Sequence, residues 1–522
     1  MLKTIPLKNY IKIYFWKILS IISGFLSLLI VVPNLTNDIE LYGIYSLCIS
    51  FTLYLSYADI GFLNSGQKYA AEAYARGNRK DEVQTLGFTT AILLLMMFPF
   101  TIAMFVCYLN PGLLINNLSD RGGNIASSIF LISGTILPFQ IIIQRIVQSI
   151  LIIRIKDFIS LKIDVFFNLL KIGSVFYFFH GESYMIVEYF LFTILMSLAG
   201  SLVILAIIRK TENYNFLYLF KSIRLSKKVY SHTSKLAYTS LALTLAWIIY
   251  YELDLVIIGL YLTPKDVAIY AIGFTFLNFI RSLWNTVFSP FSQRFNHYVA
   301  LNSKLELKDM INKIIDYTLP LCIIVTLVLI LGAENIVYYW VGEDYKDSVS
   351  ILQILILGTS FSFVTKPASF YFTANTEYKF LYILAFSLPI IFCSGIILFL
   401  PYYSLVGISI AKTFTMFSGF IISSIGISKI YNPLKSIKKW GINLLLFGAL
   451  IIYFFNLILI NFFSDQQKST ENLILLVLTM FIVILLSYLT LLLTKKKQIE
   501  DFVLLKSKLT RIIKANIFNK ND

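Results

Sequence analysis

Charged side chains are scarce in these 522 residues: Asp, Glu, Lys and Arg make up 14%, against about 25% in soluble domains. Residues of the AVILMFWYC set reach 58% and the mean hydropathy is +0.77, which excludes a water-soluble enzyme. Cysteine is also rare. Cys48, Cys107, Cys322 and Cys393 all fall inside apolar segments without a C-x-x-C pair, so neither a disulfide framework nor a cysteine metal site is expected. His180, His232 and His297 lie far apart near the ends of apolar runs, which excludes an H-E-x-x-H site or a His-based hydrolase. A Walker A pattern, G-x-x-x-x-G-K-[ST], is missing, so ATP is not the direct energy source. No catalytic residue, metal or cofactor is expected.

Long apolar runs are abundant. They lie near 11–33, 39–63, 84–108, 124–152, 159–179, 186–208, 235–260, 266–291, 315–333, 348–373, 379–400, 403–428, 440–461 and 472–494. Each is about the length a helix needs to cross a hydrocarbon core of roughly 30 Å. The fold class predicted is all-α and polytopic, with about fourteen transmembrane helices. With the N-terminus on the cytoplasmic side, roughly 32 of the 44 Lys and Arg fall in inward loops and tails, and only Arg121, Lys265, Lys346 and Lys468 fall outside. Both termini are then cytoplasmic. The net charge of +16 follows from this asymmetry and calls for no nucleic-acid partner. Lys3, Lys8 and Lys12 ahead of the first run resemble the start of a signal peptide. The run is too long and no A-x-A site follows, so it reads as an uncleaved first helix. In the tail beyond Lys495, Phe502, Leu504, Leu505, Leu509, Ile512 and Ile513 alternate with Lys and Arg. That pattern fits either an amphipathic helix on anionic membrane lipids or a solvated basic tail.

The chain also repeats internally. Segment 43–81 can be laid on 268–306 without a gap, so that Ile44 meets Ile269 and Tyr45 meets Tyr270. Ile155–Phe158 matches Glu377–Phe380 at nearly the same offset. An even number of spans returns the chain to its starting side, so the repeat is parallel. The expected organisation is an N-lobe at 1–215, a C-lobe at 216–430, two appended helices at 431–494 and a basic cytoplasmic tail at 495–522, the lobes forming a pseudo-symmetric pair of six helices each.

Ions inside the spans are costly, at least about 2.5–3.5 kcal/mol for Lys or Arg at a span centre, so they face a cavity, pair with one another, or snorkel. The intramembrane cations are Lys17, Arg145, Lys171, Arg281, Lys366 and Lys412, and the anions are Asp59, Asp164, Glu252 and Asp254. Arg281, Lys171 and Lys412 lie roughly ten residues or more from a span end. Lys17, Arg145 and Lys366 are within reach of the inner surface, yet Arg145 and Lys366 fall within one residue of each other when the repeats are superposed. A cavity rich in cations suits a compact anionic head group such as a phosphate, which Arg can grip bidentately. Asp254, Glu252 and Asp59 either carry a coupling ion or balance the cavity's positive charge.

DLVIIGLYLTPKDVAIYAIG, 254–273, resembles the seventh-to-eighth helix stretch of Wzx-type bacterial polysaccharide flippases. LTNDIELYGIYSLCISFTLYLSYADIGF, 35–62, resembles the matching place in their first half. These flippases belong to the multidrug/oligosaccharidyl-lipid/polysaccharide exporter superfamily, and the resemblance covers about residues 10–430. It implies transport of an undecaprenyl-diphosphate-linked oligosaccharide across the bacterial cytoplasmic (inner) membrane by alternating access, for O-antigen, capsule or exopolysaccharide synthesis. A monomer is implied, with a polysaccharide polymerase and other assembly proteins as partners. The first two helices of each lobe would line the cavity, which selects Lys17, Asp59, Glu252, Asp254 and Arg281. Read from the residues alone, Asp38 and Thr263 are helix N-caps, Pro264 suits a first helical position, and Glu40 and Asp266 suit the positive end of the helix dipole.

Two other classes fit the residues less well. A membrane glycosyltransferase or polymerase needs catalytic groups on a large external loop, and no external loop exceeds about 16 residues here. A cation-coupled multidrug exporter of the same superfamily would carry acidic residues in a mostly uncharged lumen, whereas these deep charges are mainly basic. A peptidoglycan-precursor flippase stays open.

Overall fold

The computed structural model describes residues 7–55, 61–181, 184–300, 303–375, 378–463 and 468–493. Within them the chain is helical and contains no strand, as apolar segments in lipid require: a helix satisfies every backbone donor and acceptor within itself. Asp59 and the basic tail fall outside the described residues.

The chain divides into two compact units. The first comprises Met1–Phe279 and Leu381–Thr415, the second Ile280–Phe380 and Met416–Asp522. The first unit holds α1 (Leu7–Leu35), α2 (Ile39–Leu55), α3 (Phe62–Ala75), α4 (Arg79–Leu109), α5 (Asp120–Ile153), α6 (Phe158–Phe178), α7 (Ile186–Glu212), α8 (Phe216–Lys221), α9 (Lys227–Trp247) and α10 (Asp254–Tyr261). Here α4 packs on α5, α1 on α6, and α7 on both α5 and α6, while α2 leans on α5 and α3 on α9. The helix α11 (Pro264–Ala300) begins in this unit and ends in the second, which continues with α12 (Lys304–Leu331), α13 (Ala333–Trp340), α14 (Ser348–Thr359) and α15 (Ser362–Ala374). The helix α16 (Tyr378–Ile427) serves both units, and α17 (Leu434–Phe463) and α18 (Thr470–Leu493) complete the second. There α12 is the hub, touching α14, α15, α17 and α18.

Among the described residues nine helices are long and apolar enough to cross a membrane, or eleven if each bent pair counts as one span. The bent pairs are α9 with α10, at 49°, and α14 with α15, at 47°. The difference from the fourteen expected spans has three physical sources. The helix α2 has only 17 residues. The helix α6 carries Lys162, Asp164 and Lys171 within its length. The helix α16 joins two expected spans: its arms meet at Ser404, whose φ of 48° and ψ of −127° are not helical. Apolar side chains on the span surfaces face outward, among them Phe98, Phe139, Ile397, Ile442 and Leu445. The chain is a multi-pass membrane protein.

The predicted caps form. The Leu41 N–H donates to Asp38 Oδ1 at 3.0 Å, and the Thr263 N–H and hydroxyl donate to Asp266 Oδ2 at 3.0 and 2.6 Å. Gly43, just ahead of Ile44 and Tyr45 of the internal repeat, lies against another helix: a Cβ there would sit 1.8 Å from the Pro264 carbonyl oxygen, so the start of α11 lies directly on α2. Nearby, the Asn116 N–H donates to the Gly259 carbonyl at 3.0 Å.

Candidate functional site

Two clusters of intramembrane charge stand out, one in each unit. In the first unit the span that holds Glu252 and Asp254 is broken. Ile248–Glu252 takes a π-helical turn between α9 and α10, a distortion that disturbs the regular backbone ladder. Lys412, on α16, reaches this break. Its Nζ donates to the Tyr251 carbonyl at 3.0 Å and to Asp254 Oδ2 at 2.5 Å, and neither side chain is exposed at all. Tyr270 of α11, which the internal repeat matches to Tyr45, donates its hydroxyl to the same Oδ2 at 2.5 Å. Phe274, Phe392 and Tyr251 surround the ammonium, with ring centroids 4.7, 5.5 and 5.8 Å from Nζ. Glu252 is buried in the π turn itself. Asp254 and Lys412 therefore neutralise one another.

The other cations of this unit lie apart. Lys171 on α6 is half-buried, donates to Ser197 Oγ on α7 at 2.6 Å and feels the Asp164 carboxylate of its own helix. One turn before Lys171, Asn168 donates to Ser23 Oγ on α1 at 2.7 Å, so polar contacts link α1, α6 and α7. Lys17, half-buried on α1, acts on Asp157 at the head of α6; burial raises that carboxyl above its ordinary range and the Lys17 ammonium opposes the shift. Arg145 is half-buried on α5.

In the second unit, Arg281 and Lys366 come together from different helices, α11 and α15. The guanidinium is near enough to bear on the Lys366 ammonium as a like charge. Lys366 Nζ donates to Asn285 Oδ1 at 2.5 Å, and Asn285 stands one helical turn after Arg281. Two cations and an amide thus stand near one another within candidate spans, a concentration of positive charge that attracts an anion.

Of the residues singled out in sequence, Arg281 and Lys366 are brought into one site and Asp254 is brought to Lys412. Lys17, Arg145 and Lys171 occupy separate places on α1, α5 and α6. Sequence reading missed Asn285, although its spacing of four from Arg281 places both on one helix face. It also missed Tyr270 as a partner of Asp254 and the Tyr251 carbonyl, which depends on a π turn that no residue pattern marks.

No family model and no curated protein matches this sequence. Solved structures do. The lipid II flippase MurJ, in its inward closed conformation, aligns with a TM-score of 0.66 at 16% identity over 92% of this chain and 97% of its own. A multidrug resistance MATE family transporter of the MOP superfamily, inward-facing, aligns with a TM-score of 0.63 at 13% identity over 81% of this chain and 96% of its own. An outward-facing structure of a MATE family transporter of that superfamily aligns with a TM-score of 0.56 at 15% identity, over 83% and 98%. The chain has the fold that these flippase and multidrug transporter structures share.

Proposed function

We propose that this protein is a flippase of the Wzx type, moving an undecaprenyl-diphosphate-linked oligosaccharide from the inner to the outer leaflet of the bacterial cytoplasmic membrane, for surface polysaccharide synthesis. The observation that carries the reading is the pairing of Arg281 with Lys366 at Asn285. Two like charges held together in a span repel each other, and a diphosphate arriving between them relieves that cost while offering Arg281 a bidentate partner. The lipid tail stays in the bilayer and only the head group crosses. Two lobes of six helices, at 1–215 and 216–430, would alternate access to it.

A multidrug exporter of the same fold is the second reading. The basic character of the Arg281 site weighs against it, since a cationic drug would be repelled there. A flippase of peptidoglycan precursors shares the anionic head-group chemistry, and the wider coverage of the lipid II flippase fits both lipid-linked cargoes.

The test pairs complementation of surface-polysaccharide export with quantified membrane protein. Arg281→Ala and Lys366→Ala should each abolish export at normal abundance, and Arg281→Lys should restore only part of it, since the planar fork is lost. Full export by Arg281→Ala at normal abundance would remove this site from the mechanism.

A further inference from the structure

A lysine with no exposed surface, deep in an apolar span, needs a complete set of partners, and Lys412 has one. It is met by a carboxylate oxygen, the carbonyl of a π-helical residue and three aromatic faces. These are the groups that bind a free ammonium ion: an anion and a carbonyl as hydrogen-bond acceptors, and ring quadrupoles around the rest of the cation. The site is also built from outside the lysine. Tyr270 fixes Asp254 Oδ2 from α11, and Ser409, one turn before Lys412, is buried. The second carboxylate oxygen, Asp254 Oδ1, is buried without a hydrogen-bond partner, so the acceptor capacity of the site exceeds what Lys412 and Tyr270 use.

We infer that Asp254, the Tyr251 carbonyl and the rings of Phe274 and Phe392 form a binding site for a primary ammonium ion, and that the chain fills it with its own side chain. Lys412 is a tethered cation. The charge that an exchangeable ion would bring to this break in α9–α10 is covalently attached, so this site does not load and release a cation from solution. Lys412 holds the bent span in this way whatever the cargo.

The site can be opened by shortening the lysine. The full-length protein is purified in lipid nanodiscs and its thermal midpoint measured at constant ionic strength in choline chloride, sodium chloride and methylammonium chloride. The wild type should show the same midpoint in all three. Lys412→Ala strands a buried carboxylate and should unfold at lower temperature in choline. Methylammonium should restore most of the lost midpoint, saturating with concentration as binding to the folded state requires, and sodium should restore less because the rings favour the organic cation. Lys412→Ala with Asp254→Asn should show no such response. If Lys412→Ala does not fold, Lys412→Met keeps the stem and leaves space for ammonium chloride as the probe. A folded Lys412 variant whose midpoint is the same in ammonium salts and in choline would overturn the inference. So would an equal response of the double variant, or sodium restoring as much as methylammonium.

Discussion

Arg154, just past the end of α5, has a side chain only 1% exposed and donates to the fully buried Glu82 at 2.7 Å. Its Nε lies 3.7 Å from Glu212, which Lys156 also grips at 2.5 Å. The rings of Tyr74 and Tyr214 cover the guanidinium at 4.7 and 5.2 Å. Around this cluster pack Val83, Leu86, Ile150, Leu151, Ile204 and Ile208, so it fastens α4, α5 and α7, with the Arg154–Glu82 pair shielded from water. Arg154→Met should therefore cost about 3–5 kcal/mol, because Glu82 would be left buried and unmatched. Arg154→Met combined with Glu82→Leu should recover much of that loss. Thermal unfolding in detergent checks both, and equal midpoints for the single variant and the wild type would contradict the clamp. In sequence Arg154 reads as one more positive-inside residue. Its partner stands 72 positions away, and a charge near a span end gives no local sign of whether it is solvated or buried.

At the scale of elements, the helices and their caps were legible because both are written locally, in apolar runs and in residues such as Asp38 and Thr263 that precede them. The breaks were less so. Pro401 and the polar Tyr402–Ser404 stretch mark the turn inside α16, and the two expected spans at 379–400 and 403–428 are its two arms. There Gly395 meets Ala411, and Gly407 lies against the Phe399 carbonyl, where a Cβ would come within 2.4 Å of the oxygen. Ser404 holds a positive φ of 48° in a region that glycine occupies far more readily. Ser404→Gly should raise the thermal midpoint by relieving about 1 kcal/mol of strain, and Gly407→Ala should lower it. A fall with Ser404→Gly would show that the turn is held in some other way. The helices α17 and α18 are fixed by polar contacts too far apart in sequence to be anticipated. Ser436 and Lys439 both donate to Asp316 on α12, and Tyr488 on α18 donates to the Tyr317 carbonyl at 3.1 Å.

For the whole molecule, the distribution of Lys and Arg predicts which loops face the cytoplasm. In a variant lacking the native cysteines, a cysteine replacing exposed Leu113 should react with an impermeant reagent from outside intact cells, and one replacing exposed Leu225 should not; the opposite pattern would reverse the topology. The candidate site was legible in part. The deep cations were visible one by one, since a charge in an apolar run is conspicuous, but which of them share a site depends on packing between helices such as α11 and α15. That Arg281 on α11 bears on Lys366 on α15 is what links the separate charges to the proposed lipid diphosphate. The most direct measurement is leaflet-to-leaflet transfer in reconstituted vesicles, without nucleotide, of a fluorescent oligosaccharide carried on undecaprenyl diphosphate, compared with the same sugar on an uncharged polyprenyl ether. Rapid transfer is expected of the diphosphate alone, and it should be lost in the Arg281→Ala/Lys366→Ala variant. Equal transfer of the uncharged lipid, or wild-type transfer of the diphosphate by that variant, would contradict it.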